Sequence, residues 1–425
     1  RYDDSVVRVV DGAVMPVRRA RGYAPQPLPL PALDGAPSCV LACGPQQKAT
    51  IALTREGMNG EATCFVSQHI GDVENGGTFD AWNAARTRLE DLFDLAPAAL
   101  ACDLHPSYLS GQWAREQARK CNLPLVEVQH HHAHIASVMA EAIAAGQLAT
   151  DARVLGIAFD GTGAGTDGTI WGGEFLVASL GGFERAAHLR TWALPGGAAS
   201  VRDARRNAFA LLSELGLLEH PGAARLLDSL DEQTRSVTAT MIERGINSPR
   251  TSSMGRLFDA AAAVLGICGQ ATYEGEPAIE LEAAAWRALD NEIAHFPDDN
   301  AGYFASGPSW LDGPYVLDQK ALFEALLGGI EAGAPADRLA LDFHVAVARS
   351  SARIASDICA HEGIGTVALS GGVFMNRLLL QLLTRELKSM GLTVLVPHSV
   401  PINDGCIAYG QAAVARARLA QIASQ

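Results

Sequence analysis

Short runs of hydrophobic residues, separated by turn residues, follow one another in a regular order through the first half of the chain. Their spacing predicts three strands, a helix, a strand, a second helix, a strand and a third helix that begins near His130. The predicted strands lie at 39–43, 49–53, 64–66, 99–103 and 125–128, and the first predicted helix lies at 80–93.

The second half repeats this order. Strands are predicted at 154–160, 169–178 and 184–194, followed by a helix at 339–359, a strand at 366–370, a helix at 376–390, a strand at 393–397 and a closing helix from Asp404. Three antiparallel strands followed by alternating helix and strand are typical of an RNase H-like lobe. The sequence therefore predicts an α/β protein of two RNase H-like lobes that face each other across a cleft, as in the actin, Hsp70 and sugar-kinase architecture.

The predicted elements divide the chain into three parts. Residues 1–36 contain a strand and then prolines at alternate positions, which predict an extended linker because proline cannot join a helix or a central strand. Residues 37–150 form the first predicted lobe. Residues 151–425 form the second, with a mainly helical insertion, rich in Ala and Leu, at about 200–335.

Composition narrows the function classes. The chain has 425 residues, of which 48% are hydrophobic and 19% are charged, and its formal net charge is −14. This charge argues against broad nucleic-acid binding, although a local patch of Arg202, Arg205 and Arg206 could bind phosphate. No apolar run reaches the length of a membrane span. The eight cysteines contain no C-x-x-C pair, and no signal-peptide core follows Arg1, so we expect a reduced, cytoplasmic protein. Since the sequence does not begin with Met, a fragment and a naturally shortened protein both stay open.

A histidine cluster carries the strongest chemical signal. Four of the five residues 130–134 are His, and His130 and His134 share one face of a helix because they are four residues apart. Two neutral imidazoles in this geometry can bind one divalent metal. The alternative is a polar helix start whose His side chains hydrogen-bond to backbone or carboxylate groups.

Two carboxylates at the ends of predicted elements complement the histidines. Asp160 ends an apolar strand, and Asp404 begins the last helix; each alone also fits a turn or an N-cap. In the predicted fold both positions open on the cleft. A site of two His and two Asp suits zinc or iron(II), with coordination positions left for a ligand.

Two glycine-rich segments, at 160–166 and 370–376, each follow a predicted strand. Glycine turns let backbone N–H groups approach phosphate oxygens, and a helix N-terminus favours negative charge. Their placement at equivalent points of the second lobe predicts a nucleotide site.

The motifs as a set resemble the C-terminal carbamoyltransferase portion of the HypF family, whose members mature [NiFe]-hydrogenases. The resemblance covers nearly the whole chain and rests on Asp3–Arg8, Arg18–Pro25, the sequence QHHHAH at 129–134, DGTG at 160–163, WGGEF at 171–175, SMGRLFD at 253–259, SGGVFMN at 370–376 and NDG at 403–405. The tRNA-modifying relatives carry Glu-Gly within the His motif, where this chain has His132-Ala133. HypF proteins carry further domains ahead of this region, and residues 1–36 resemble the tail of their YrdC-like domain.

The resemblance implies a reaction and its site. A carbamoyl group would pass from carbamoyl-adenylate, made from ATP and carbamoyl phosphate, to the C-terminal cysteine thiol of HypE, releasing AMP. The resemblance implies that one divalent transition metal, zinc or iron, is held by His130, His134, Asp160 and Asp404. It places the nucleotide near Gly161, Thr162, Gly163, Gly255, Asp259, Gly371, Gly372 and Asn376, with Glu276 and Lys48 as weaker candidates.

Three other functions stay open at this stage. A small-molecule kinase shares the two-lobed fold but uses Mg²⁺ with phosphate and needs no His pair. A related O-carbamoyltransferase would use the same site on another acceptor. A binding module without catalysis would dock a maturation partner and depend on neither metal nor nucleotide.

Overall fold

A computed structural model of the chain describes residues 3–57, 62–291, 305–306 and 314–424. Parts of the predicted insertion, 292–304 and 307–313, lie outside the described residues. The chain opens with an antiparallel hairpin of β1 (Val6–Val10) and β2 (Ala13–Arg18). The hairpin buries Val10 and Met15 in the core of the second lobe.

The first lobe is built on a six-stranded sheet flanked by helices. Its elements are β3 (Pro27–Leu30), β4 (Val40–Ala42), β5 (Ala52–Glu56), β6 (Ala62–Val66), α1 (Gly76–Phe93), β7 (Ala99–Asp103), α2 (Leu109–Cys121), β8 (Leu125–Val128) and α3 (His130–Ala144). The strand order is β3-β6-β5-β4-β7-β8, antiparallel from β3 to β4 and parallel from β4 to β8. Part of the predicted linker is therefore a strand, β3, which lies at the sheet edge where proline needs no donor on its outer side.

The second lobe and its insertion follow in chain order. The elements are β9 (Val154–Ala164), β10 (Ile170–Ala178), β11 (Phe183–Leu189), β12 (Trp192–Ala193), α4 (Ala198–Arg202), α5 (Ala204–Leu215), α6 (Ala224–Asp228), α7 (Glu232–Arg244), β13 (Arg250–Thr251), α8 (Met254–Val264), α9 (Glu276–Asn291), β14 (Ala305–Ser306), β15 (Tyr315–Asp318), α10 (Lys320–Glu331), α11 (Ala336–Glu362), β16 (Thr366–Ser370), α12 (Arg377–Ser389), β17 (Thr393–Leu395) and α13 (Ile407–Ala423). Short 3-10 turns lie at Pro221–Ala223, Gly372–Met375 and Asp404–Cys406.

The two sheets share one topology. In the second lobe the path is β14-β15-β11-β10-β9-β16-β17, and its last five strands repeat the order β6-β5-β4-β7-β8 of the first. In the first lobe β4 pairs antiparallel with β5 and parallel with β7. In the second lobe β9 pairs antiparallel with β10 and parallel with β16. The predicted fold class is therefore confirmed, and β7 and β16 occupy equivalent positions.

Helices α3 and α13, which end the two halves of the chain, pack against each other between the sheets. Each also covers the sheet of the other half: α3 lies on β9, β10 and β16, and α13 lies on β4, β5 and β7. Two glycines permit this packing. A Cβ on Gly156 would lie 2.4 Å from the side chain of Ile135, and a Cβ on Gly410 would lie 1.9 Å from the carbonyl oxygen of Ala133.

The interior separates into three hydrophobic clusters: one under α1 and α2, one around α3 and α13, and one that joins the second lobe to the helical insertion. The buried face of the insertion is supplied by apolar positions of α5, α8 and α9, and α9 packs against α11 of the second lobe. Within the described ranges, no helix has both the length and the apolar character that crossing a bilayer requires.

We predict that Gly410→Ala destabilises the fold. Ala normally stabilises a helix interior relative to Gly by about 1 kcal/mol, but here the new methyl group would meet a backbone carbonyl that has no rotamer to change. Overpacking of this kind costs about 1–3 kcal/mol or more. The control is Gly328→Ala in α10, where a Cβ meets nothing within 4 Å. Thermal unfolding should show a lower Tm for the first variant and an equal or higher Tm for the second; equal Tm values for both would contradict the packing argument.

Candidate functional site

Four predicted side chains converge between the lobes. The Nε2 atoms of His130 and His134 each lie 3.3 Å from Oδ2 of Asp160, and they lie 3.7 and 3.6 Å from Oδ1 of Asp404. One ligand atom from each residue falls within 4.8 Å of all the others. The structure thus brings together the complete predicted set of two imidazoles and two carboxylates.

Local structure places each member of this set. Gln129 caps α3, its side chain accepting from the backbone N–H of His132, so the first turn directs His130 and His134 to one face. Asp160 lies within β9. Asn403 accepts from the N–H of Gly405 and starts the 3-10 turn that presents Asp404 ahead of α13.

The donor set suits a metal ion. Nε2 of His130, Nε2 of His134 and Oδ2 of Asp160 are buried and have no hydrogen-bond partner among the described residues. Buried polar atoms without a partner are costly, so three of them aimed at one point indicate that the site holds a group which satisfies them. Two imidazole nitrogens with two carboxylate oxygens form a ligand set suited to zinc or iron.

Electrostatics at the site favour a cation. Burial alone would lower the pKa of His130, but the carboxylates of Asp404 and Asp103 outweigh burial and hold that pKa well above its ordinary value. The pKa of His134 is also raised well above its ordinary value, against burial, by Cys406 and the two site carboxylates. Burial would raise the pKa of Asp404, yet the histidines lower it to about 2. The two carboxylates therefore favour positive charge at the imidazoles, and a metal ion at this position would supply that charge.

The outer partners of the histidines were not predicted from the sequence. Nδ1–H of His130 donates to Oδ2 of Asp103 at 2.8 Å, and Nδ1 of His134 lies 3.0 Å from Oγ of Ser370 and 3.3 Å from Sγ of Cys406. Asp103 and Ser370 are the last residues of β7 and β16. A polar residue that ends an apolar strand is the signal that could have found them.

The segment 160–163 is not the turn that was predicted. Gly161, Thr162 and Gly163 continue β9, which pairs with β10 as far as Ala164. The glycines serve close packing instead, since a Cβ on Gly163 would lie 2.5 Å from the ring of His131. Thr162 is exposed.

The second glycine segment does form a turn. Gly371 has φ +114°, and a Cβ there would lie 2.2 Å from the carbonyl oxygen of Phe159. The N–H of Gly372 donates to Oδ1 of Asp160 at 3.0 Å, which also accepts from the N–H of Gly161. These amides therefore orient a predicted metal ligand.

Gly255 and Asp259 lie on α8, beside β9. A Cβ on Gly255 would lie 3.0 Å from Cα of Gly161, so the helix and strand approach closely. Oδ2 of Asp259 is buried and ion-paired with Arg256 at 2.9 Å, while burial raises the pKa of Asp259. Arg256 reaches to within 3.8 Å of the Cβ position of Gly161, so it lies in this predicted nucleotide region although it was not predicted as a site residue.

The remaining candidates are held by other contacts. Nζ of Lys48 makes an ion pair at 2.9 Å with Glu274 of the opposite lobe. Glu276 begins α9 and accepts from the side chain of Thr272 at 2.8 Å.

Asn376 has a part in the fold itself. It caps α12 by accepting from the N–H of Leu379, and its Nδ2 lies 2.8 Å from Nε2 of His344. Since Nδ1–H of His344 donates to the carbonyl oxygen of Ala340 at 2.7 Å, Nε2 is free to accept from Asn376.

The two middle histidines of the cluster are buried and directed elsewhere. Nε2–H of His132 donates to the carbonyl oxygen of Ser179 at 2.8 Å, and burial lowers the pKa of His132 to about 4. Nδ1 of His131 lies 3.0 Å from Nε2 of Gln129, and burial lowers the pKa of His131 well below its ordinary value. Both imidazoles are therefore neutral near pH 7.

Comparison with known proteins places the chain in a family. Residues 156–411 match the family model described as "Carbamoyltransferase, Kae1-like Domain, second subdomain", and residues 35–141 match the HypF Kae1-like domain. The chain is 36% identical to carbamoyltransferase HypF of Synechocystis sp., over 96% of this chain and 51% of the relative. It is 39% identical to a HypF homolog of Cupriavidus necator, over 90% of this chain and 92% of the relative. A crystal structure of full-length HypF in a phosphate- and nucleotide-bound form aligns with a TM-score of 0.86 at 36% identity, covering 98% of this chain and 51% of that chain.

Fold and site together define a two-lobed α/β protein with a candidate metal centre at the junction of its lobes. The chain belongs to the HypF carbamoyltransferase family. It spans about half the length of several of the curated relatives that it matches, including that of Synechocystis.

The buried His344 leads to a pH-dependent prediction. Burial lowers its pKa from an ordinary value of 6.5 to about 4. Between these values the unfolded state binds a proton that the folded state does not, so stability is lost as the pH falls, by about 3 kcal/mol in total. His344→Gln keeps an acceptor for Asn376 and should flatten the loss of unfolding free energy between pH 6.5 and 4.

Urea unfolding at several pH values measures this effect. His361→Gln is the control, because it replaces a histidine of the same helix whose side chain is exposed and not buried. Parallel profiles for wild type and His344→Gln would show that the buried imidazole does not contribute.

Proposed function

We propose that this chain transfers a carbamoyl group from carbamoyl-adenylate to the thiol of the C-terminal cysteine of HypE, with release of AMP. The single observation that carries the proposal is the convergence of His130, His134, Asp160 and Asp404 in a member of the HypF carbamoyltransferase family. Family membership favours carbamoyl transfer over the kinase alternative, whose chemistry does not call for the His pair. HypE as partner and a cytoplasmic location stay predictions from the sequence.

The four convergent residues would hold one zinc or iron(II) ion. Such an ion supplies Lewis acidity, which polarises a carbonyl group and stabilises negative charge on its oxygen. The protein's own contribution is orientation. Oδ1 of Asp160 is fixed by the N–H groups of Gly161 and Gly372, which leaves Oδ2 directed toward the two imidazoles.

The nucleotide would lie along the second lobe, where β9, α8 and the turn at Gly371 meet. Close approach of Gly255 to Gly161 brings the start of α8 directly against the backbone of β9. Arg256 brings positive charge beside this backbone, which suits a phosphate group. Support also comes from the nucleotide-bound HypF crystal structure, which shares this fold.

The proposed step forms one bond and breaks one. The thiol sulfur attacks the carbamoyl carbon, a C–S bond forms, and the bond from that carbon to the phosphate oxygen breaks. AMP leaves with the electron pair, and the thiol proton passes to solvent. Since the adenylate is already an activated anhydride, the enzyme needs no nucleophile of its own.

Metal dependence is the first test of the proposal. We expect the purified chain to bind one zinc or iron ion, and His130→Ala and Asp404→Ala to lose metal and transfer activity. Circular dichroism should stay close to wild type, because each lobe keeps its own core. Metal content is measured by inductively coupled plasma mass spectrometry. Transfer is measured as the increase in the mass of HypE after incubation with supplied carbamoyl-adenylate.

His361→Ala, which removes an exposed histidine, is the matched control and should keep both metal and activity. If Asp404→Ala transfers at the wild-type rate in the presence of a chelator, the metal role is wrong.

A second test concerns the nucleotide. Asp259→Ala should weaken binding of AMP by about 1–3 kcal/mol, the usual loss when a charged hydrogen-bond partner is removed. Isothermal calorimetry measures the affinity, and Asp259→Asn, of nearly the same shape, separates the loss of charge from a packing defect.

Asp337→Ala serves as control, because this half-buried carboxylate makes its ion pair with Arg287 and not with Arg256. Unchanged AMP affinity in a folded Asp259→Ala protein would remove Asp259 from the nucleotide site.

A further inference from the structure

The two histidines of the candidate metal centre are oriented from opposite lobes. His130 hydrogen-bonds to Asp103, at the end of β7 in the first-lobe sheet. His134 hydrogen-bonds to Ser370, at the end of β16 in the second-lobe sheet. Because β7 and β16 hold the same place in the repeated strand order, the two partners occupy corresponding positions in the duplicated fold.

We infer that Asp103 and Ser370 are a pair of positioning residues, one from each lobe, that set the tautomer and ring orientation of His130 and His134 for metal binding. This inference rests on the proposed function insofar as the site is taken to hold a metal. Neither residue was predicted from the sequence as part of the site.

Asp103 is built to hold His130 rigidly. Its side chain is 1% exposed, Oδ2 accepts from Nδ1–H of His130 at 2.8 Å, and Oδ1 accepts from the N–H of His105 at 2.9 Å. Its carbonyl oxygen accepts from Arg115 at 3.2 Å. A proton fixed on Nδ1 leaves the lone pair on Nε2, which is the atom directed at Asp160.

Ser370 orients the ring of His134 in the same way, but with a neutral hydroxyl group in place of a carboxylate. Its hydroxyl donates to the carbonyl oxygen of Ile402 at 3.3 Å, so a lone pair of Oγ is left to accept from Nδ1–H of His134 at 3.0 Å. Sγ of Cys406 lies 3.3 Å from the same nitrogen. Nε2 of His134 is then also free for a metal ion.

The partner of His130 carries a negative charge, whereas the partner of His134 is neutral. Asp160 and Asp404 together offset the charge of a divalent ion, and Asp103 adds a third negative charge through His130. A carboxylate partner strengthens an imidazole ligand more than a hydroxyl does. Asp103 should therefore contribute more to metal affinity than Ser370.

The test is metal affinity of the full 425-residue chain, measured with Zn²⁺ and Co²⁺ in competition with a chromophoric chelator. Asp103→Asn, which keeps an acceptor but loses the charge, should weaken binding by about 10–100-fold. Asp103→Ala should weaken it further, and Ser370→Ala should fall near the lower end of that range. The Co²⁺ absorption bands, which report ligand geometry, should shift in the Asp103 variants.

Two controls distinguish orientation from general stability. Asp203→Asn removes a partly buried carboxylate that caps α5 and pairs with Arg205, and it should lower Tm without changing the Kd for Zn²⁺. In a His130→Ala background, titrated at the higher Zn²⁺ concentrations that its weakened site requires, Asp103→Asn should have no further effect on the Kd, while Ser370→Ala should still weaken binding.

Wild-type affinity in Asp103→Asn, or an equal effect of Asp103→Asn with and without His130, would overturn the inference. A wild-type chain that binds neither metal would instead overturn the proposed metal centre itself, so the two failures are distinct.

Discussion

The contact between the backbones of α3 and α13 determines where everything else in the molecule lies. Ala133 and Gly410 approach so closely that no side chain fits at position 410. The contact lies less than one helical turn after His130 and a few residues after Asp404, so it also sets the distance between ligands contributed by the two halves of the chain. A site assembled from distant parts of the sequence is thus fixed by a crossing in the hydrophobic core rather than by a loop.

The same crossing determines how the histidine pair is attached to the two lobes. His130 and His134 follow the first lobe in sequence, but their helix packs on the sheet of the second lobe. The hydrogen bond from His130 to Asp103 links the histidine pair to β7 of the first-lobe sheet. A metal ion would therefore reinforce a junction that the packed helices already form. Its two histidine ligands would be connected to the two lobes through different hydrogen bonds.

Local signals were sufficient for much of this arrangement. Strand alternation and repeat order predicted the duplicated topology, and the i, i+4 spacing put His130 and His134 on one face. The turn predicted at 160–163 was wrong, because this glycine-rich sequence is equally compatible with a turn and with a strand packed tightly against a helix and a histidine ring. Asp103 and Ser370 were missed because a polar residue at the end of a strand is ordinary; only the three-dimensional approach of α3 gives those side chains a partner. For Asn376 the sequence did not show that a histidine 32 residues earlier would lie beside it.

The ion pair of Lys48 with Glu274 joins the two lobes at the surface of the protein. It contributes little to the stability of the fold, since the two side chains are 34% and 53% exposed and such pairs contribute about 0–1 kcal/mol. The lobes are held together by the buried helices α3 and α13, so this surface ion pair can separate at little cost while the helices stay packed. Salt would screen the pair and ease its separation, and Lys48 would then be left with the nearby charge of Asp404 as an electrostatic neighbour. This surface contact is therefore weakened by salt, whereas the candidate metal centre is held by buried packing.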